Sequence, residues 1–145
     1  MSTERNKDVV RRFYDVVWNQ GRLAAADELF APRFRDADAP GDVPPGPAGV
    51  KDFVALNLRR FPDLRYTLHA LIAEGDLVAA DWSAMGTNTG DLSHRNRPPL
   101  APTGKRVEWC GVTIFRLDDG QIVEYTITQN LLGVFRDLGL VTDAA

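Results

Sequence analysis

The dominant spacing of apolar residues changes between Phe61 and Arg65, and that change restricts the possible folds more than any other feature. Before it, apolar side chains recur at intervals of three and four, the spacing of a helix face. After it they alternate, the spacing of a half-buried strand. Residues 4–19 place Val9, Val10, Phe13, Val16 and Val17 on one side, with Arg11, Arg12 and Asp15 opposite. Tyr14 and Trp18 lie four apart and form a second ridge beside the first. Asn19-Gln20-Gly21 stops this helix. A short helix over 22–30 ends before Pro32, and a third over 47–61 buries Val50, Phe53, Val54, Leu56 and Leu58 before Pro62-Asp63.

Residues 33–38 read as a short strand, and the proline- and glycine-rich stretch 40–47 as a loop able to cap a cavity. Beyond Arg65, strands are expected over 68–73, 77–85, 106–117 and 122–128. Glu74-Gly75-Asp76 and Asp118-Asp119-Gly120 supply hairpin turns between them. The stretch 91–105, with three prolines, is a long connection. A last helix covers 131–138, with Gly139 at its C-cap. Helices followed by strands make an α+β domain. The expected form is a single domain over 1–145, a cone-shaped, curved antiparallel sheet of four or five strands wrapped over three N-terminal helices and enclosing a cavity.

Composition narrows the partners. A chain of 145 residues, 44% hydrophobic and 26% charged, is long enough to bury a core. Its net charge of −3 leaves no basic stripe for nucleic acid, and Arg59-Arg60 reads as the polar edge of a helix. With no apolar run of signal-peptide or membrane-span length, a cytoplasmic protein with no membrane partner is expected. Cys110 is the only cysteine, so no internal disulfide can form, and its strand context reads as an inert packed thiol. His69 and His94 stand apart from other ligating residues, so no metal site is expected.

Four segments of the second half carry a resemblance: Gly86-Thr87-Asn88-Thr89-Gly90, PTGKRVEW at 102–109, DGQIVEYTITQN at 119–130, and LGVFRDLG at 132–139. Looser echoes are Phe13 to Asn19, Ala31-Pro32-Arg33-Phe34 and Phe61-Pro62-Asp63-Leu64. In this order and at these intervals they resemble the SnoaL-like polyketide cyclases, enzymes of the nuclear-transport-factor-like fold. The resemblance implies a cavity between sheet and helices, homodimers formed through the sheet, and chemistry without metal or organic cofactor. It also implies a small hydrophobic substrate and ring closure by an aspartate that removes a proton between carbonyls. That aspartate position is occupied here by Asn130, which has no titratable group near neutral pH and can only donate or accept hydrogen bonds. The histidine usual in the middle of the Gly-Thr-His-Thr-Gly run is likewise replaced, by Asn88.

Each candidate residue has a functional and a structural reading. Asn130 either lines the cavity and stabilises an oxyanion or caps the last helix. Thr126 and Thr128 share its strand face and either line the cavity or simply suit a strand. Tyr14 and Trp18 either face the ligand from the first helix or pack the core. Trp82 and Trp109 offer flat walls to an aromatic ligand, or are core residues. Asp36 and Asp38, near the cavity mouth, are candidates for the missing base, as is His94, or all three are solvated. Asp81 is read as facing outward and Glu124 as structural. Ring closure of a polyketide-type compound leads the functional readings. Cofactor-independent hydroxylation with a reductase partner, epoxide opening, and a non-catalytic binding domain stand beside it.

Overall fold

The computed structural model describes residues 2–39, 41–92 and 101–140. His94 lies outside the described residues. The first helix, α1 (Thr3–Arg12), starts at Ser2, whose hydroxyl accepts from the Arg5 backbone N–H at 3.2 Å. It does not continue as an α-helix to residue 19 as its spacing suggests. At Phe13–Trp18 it widens into a π-helical turn, closed by Asn19 N–H donating to Tyr14 O at 2.9 Å. The wider turn buries both ridges, Phe13 and Val17 with Tyr14 and Trp18. Asn19 then clamps the turn to the sheet, donating to Tyr66 O at 2.9 Å and accepting from Tyr66 N–H at 2.8 Å.

The expected second helix is shorter, a 3₁₀ turn at Leu23–Ala25 running into α2 (Ala26–Leu29). Phe30 leaves the helix to open β1 (Phe30–Asp36), so this strand begins earlier than its sequence suggests and ends before Asp38. The third helix, α3 (Pro47–Arg60), follows the loop. Four long strands complete the sheet: β2 (Arg65–Glu74), β3 (Leu77–Thr87), β4 (Arg106–Asp118) and β5 (Gln121–Gln129), followed by the short helix α4 (Leu132–Asp137).

The five strands lie in the order β1-β5-β4-β3-β2. Pairing is antiparallel except at β1, which runs parallel to β5, a pairing that a hairpin could not join and that the intervening helix and strands separate in sequence. Between β4 and β5, Asp119 and Gly120 both have positive φ, 51° and 77°, the two-residue turn that matches strand twist. Register shifts interrupt β2 between Leu68 and Ala70 and β4–β5 near Arg116 and Leu117. Such bulges add twist and bend the sheet around the helices.

The inner face carries Val78, Ala80, Trp82 and Ala84 from β3 and Val107, Thr113, Phe115 and Leu117 from β4. These pack with Phe13, Phe30, Phe34 and Tyr125 in edge-to-face ring contacts, as between Phe13 and Phe30 at 5.0 Å and between Phe34 and Tyr125 at 4.9 Å. Each fully buried ring contributes about 2–3 kcal/mol by removal from water. Asp81 faces outward as expected, with Met85, Val112, Ile114 and Ile72 exposed on the same side. Cys110 also lies on this outer face and is exposed, not packed, because β4 alternates and Trp109 and Gly111 take the inner positions. Among the described residues, no helix is long and apolar enough to cross a membrane.

Candidate functional site

The π-helical turn, α3 and the inner faces of β2, β3, β4 and β5 meet around a cavity of about 20 Å³, room for one water-sized body. Phe13, Tyr14 and Trp18 line it from the turn and Phe53 from α3. From the sheet come Tyr66, Trp82, Thr113, Tyr125, Ile127 and Gln129. Rings set its shape: Tyr66 lies 4.8 Å from Trp18, 5.1 Å from Trp82 and 5.4 Å from Tyr14. Trp82 can reach across the sheet because its neighbour on β4 is Gly111. A side-chain carbon there would meet the Trp82 ring at 2.7 Å and Thr128 O at 2.5 Å.

The polar groups of this cavity are hydrogen-bonding and neutral. Trp82 Nε1 donates to Thr113 Oγ1 at 2.9 Å. Burial pushes the phenols of Tyr14, Tyr66 and Tyr125 well above the ordinary tyrosine range. At Tyr14 a hydrogen bond with Thr113 offsets part of that rise. At Tyr125 the charge of Asp36 adds to it. All three therefore remain protonated at neutral pH and act as donors. Among the described residues, no carboxylate lines the cavity. Asp36 is the acidic group that bears on the cavity: it pairs in register with Tyr125 and is half-buried. Burial raises its pKa, the Asp38 backbone N–H donating to Oδ1 at 2.9 Å lowers it, and the Asp38 charge raises it again. Among the described residues, no cluster of three or more His, Cys, Asp or Glu side chains could hold a metal ion.

Of the residues singled out from sequence, Tyr14, Trp18 and Trp82 meet in the cavity. Thr126 and Thr128 do not. They are exposed and pair with Ile114 and Val112 on the outer face of the sheet. The register shift in β5 makes Tyr125, Ile127 and Gln129 the inward residues, which reverses the parity expected for this strand. Asn130 is exposed, one residue beyond Gln129, and stands outside the lining. Nor does it cap α4: that place falls to Leu131, with no side-chain cap bond.

Asn88 is also outside the lining, and fully buried. Its amide donates to Arg60 O at 3.1 Å and Gly90 O at 2.9 Å. Its Oδ1 accepts from Thr103 N and Thr103 Oγ1, both at 2.9 Å. It is a joint between the end of α3 and two loops. Trp109 faces inward but packs on Phe61, 5.5 Å away, outside the cavity. Asp38 is exposed in the turn after β1, and Glu124 is exposed on β5.

With this geometry in view, the comparisons are direct. The sequence profile of the family described as SnoaL-like polyketide cyclase matches residues 8–138. The chain belongs to that family. No curated protein matches the chain. Among solved structures, TsrD from Streptomyces laurentii is similar at TM-score 0.85 and 23% identity, covering 97% of this chain and 99% of its own. A candidate SnoaL-like polyketide cyclase from Jannaschia sp. CCS1 gives TM-score 0.82 and 26% identity over 97% and 95%. AclR, a candidate hydroxylase from Streptomyces galilaeus, gives 0.79 and 24% over 99% and 87%.

Within this SnoaL-like fold the sequence reading missed Tyr66, Thr113, Tyr125 and Gln129. A signal for two of them was present: on β5 the large inward residues are Tyr125 and Ile127, and their parity leads to Gln129. Tyr66 alternates with Arg65 and Thr67, a signal that was present too, whereas Thr113 lies between Val112 and Ile114 with no mark of its own.

Proposed function

We propose that this protein is a cofactor-independent enzyme that closes a ring within a polyketide-type polycarbonyl compound by way of an enolate. The observation that carries the reading is the division of labour around the cavity. Its lining supplies neutral donors, the three phenols and the Gln129 amide, while Asp36 stands beside Tyr125 with its pKa raised by burial. A raised pKa brings a carboxylate nearer the range where it serves as a general base.

In this reading Asp36 takes a proton from a carbon between two carbonyls, and the electron pair moves onto a carbonyl oxygen held by the donors. The enolate carbon then attacks a second carbonyl of the same molecule. A carbon–carbon bond forms and the new alkoxide takes the proton back from Asp36. The product is an isomer of the substrate, so no oxidant or reductant enters the balance. A cavity of about 20 Å³ is far below the roughly 300 Å³ of a small-molecule pocket, so in this reading binding requires lining side chains to move.

The test incubates the purified protein with a panel of synthetic linear polyketones, without oxygen and in air enriched with labelled oxygen. Ring-closed product forms equally in both, and Asp36→Asn loses about 100-fold or more, the usual share of a general base. The wild-type rate rises with pH through the raised Asp36 pKa, because the ionised form is the active one. Label in the product only in air identifies a hydroxylase instead. No conversion of any compound leaves a binding domain, and full activity in Asp36→Asn sends the base elsewhere.

A further inference from the structure

β2 ends the sheet on the side away from β1, and among the described residues no strand lies beyond it. One row of its backbone N–H and C=O groups therefore points out of the sheet. Asn19 identifies that row. Its side chain meets Tyr66 with one donor and one acceptor, the two bonds that a neighbouring strand would make. Counting by twos, Leu68 follows Tyr66 in the row. The bulge at His69 adds one residue, so Leu71 comes next. Among the described residues, nothing does for Leu68 or Leu71 what Asn19 does for Tyr66.

Along this stretch the edge borders a groove of about 230 Å³, lined by Leu68, His69, Ala70 and Leu71 of β2 and by Lys7 and Arg11 of α1. The two cations stand one turn apart on the same side of the helix. Their partners, Glu4 at 3.3 Å and Asp8 at 2.5 Å, belong to the same helix and lie further out in solvent. Glu4 and Asp8 are 77% and 66% exposed, against 23% and 47% for Lys7 and Arg11. Exposed pairs of this kind are weak, and both cations keep further N–H groups for a ligand.

We propose that this edge docks an extended acidic segment of a partner protein, which adds to β2 as one more strand. A free oxyanion matches only the donors of the edge, whereas a strand matches its carbonyls as well. Side chains of the added strand alternate between the two faces of the sheet. Those on the helix side meet Lys7 and Arg11 and are carboxylates. Those on the other side lie beside Ile72, which is 69% exposed, and are apolar. A second copy of β2 does not fit, because it carries no carboxylate between Arg65 and Ala73. Docking here is independent of the chemistry in the cavity.

The test titrates the full chain into a fluorescein-labelled peptide that alternates glutamate and valine, followed by anisotropy. A second peptide is N-methylated at every amide with its charge unchanged, and a third has lysine in place of glutamate. The first peptide binds, the N-methylated one binds about 10-fold or more weakly, as loss of backbone hydrogen bonds requires, and the lysine peptide does not bind. Lys7→Gln combined with Arg11→Gln weakens binding about 10-fold, a difference that shrinks at high salt. In NMR spectra the Leu68 and Leu71 amides shift and gain protection from exchange when the peptide is bound.

Equal binding of the N-methylated peptide, or unmoved Leu68 and Leu71 signals, overturns strand addition. Equal binding of the lysine peptide, or undiminished affinity in the glutamine variant, overturns the acidic class of partner. No binding at millimolar peptide overturns the whole proposal, and leaves the bulge and the two cations as guards that keep other strands off this edge.

Discussion

Asn88 shows how much one amide can hold. Four side-chain hydrogen bonds, all between 2.9 and 3.1 Å, join it to Arg60, Gly90 and Thr103, and its backbone N–H donates to Lys105 O at 2.8 Å. Asn88→Ala strips partners from groups that are themselves partly buried, at about 1–3 kcal/mol for each one left unsatisfied. The expected outcome is a fall of roughly 10 °C in Tm by thermal circular dichroism, with ligand affinity unchanged at low temperature. A variant that melts like wild type would mean that water replaces all four bonds. At this scale the sequence misled where it was read through a single position. Asn88 and Asn130 stood out as amides in titratable places, yet one is a structural joint and the other is exposed. The amide that does face the cavity is Gln129, the neighbour of Asn130, because a side chain's face in a strand depends on every residue counted before it.

That count is set at the level of the strand and the helix. The register shift of β5 decides which of its residues line the cavity, and the π-helical turn decides that Tyr14 and Trp18 both point inward. π-Helical turns are rare and concentrate at functional sites, where the extra residue per turn re-aims side chains. Neither device has a period of its own, so neither was legible in the pattern of apolar residues. The role of Gly111 was equally hidden. Gly111→Ala would push the Trp82 ring, 2.7 Å from the new carbon, and crowd Thr128 O at 2.5 Å. Overpacking of this kind costs about 1–3 kcal/mol. The expected result is a lower denaturant midpoint together with a shift in tryptophan emission. Loss of stability with emission unchanged would show that the strand yields instead of the ring.

The whole molecule keeps all three of its tyrosines around one cavity, and this has a consequence at high pH. Each phenol has its pKa raised by burial, so the folded state favours the protonated form. Their contribution to stability is complete below the ordinary pKa of 10 and is lost as pH rises through the folded values. Tyrosinate absorbance should therefore appear in one cooperative step, coincident with loss of the far-ultraviolet signal. One phenol ionising ahead of unfolding would show that its hydroxyl reaches solvent in the native state. By itself the sequence determined the α+β class, the order of elements, the hairpin at Asp119-Gly120 and the family, because periodicity, turn residues and motif spacing are local or linear properties. Only the tertiary structure decided the parallel pairing of β1, the inward face of β5 and the meeting of Tyr14, Trp82 and Thr113. Those depend on which strands adjoin and where a register slips, and such long-range pairings leave no mark in the spacing of residues along the chain.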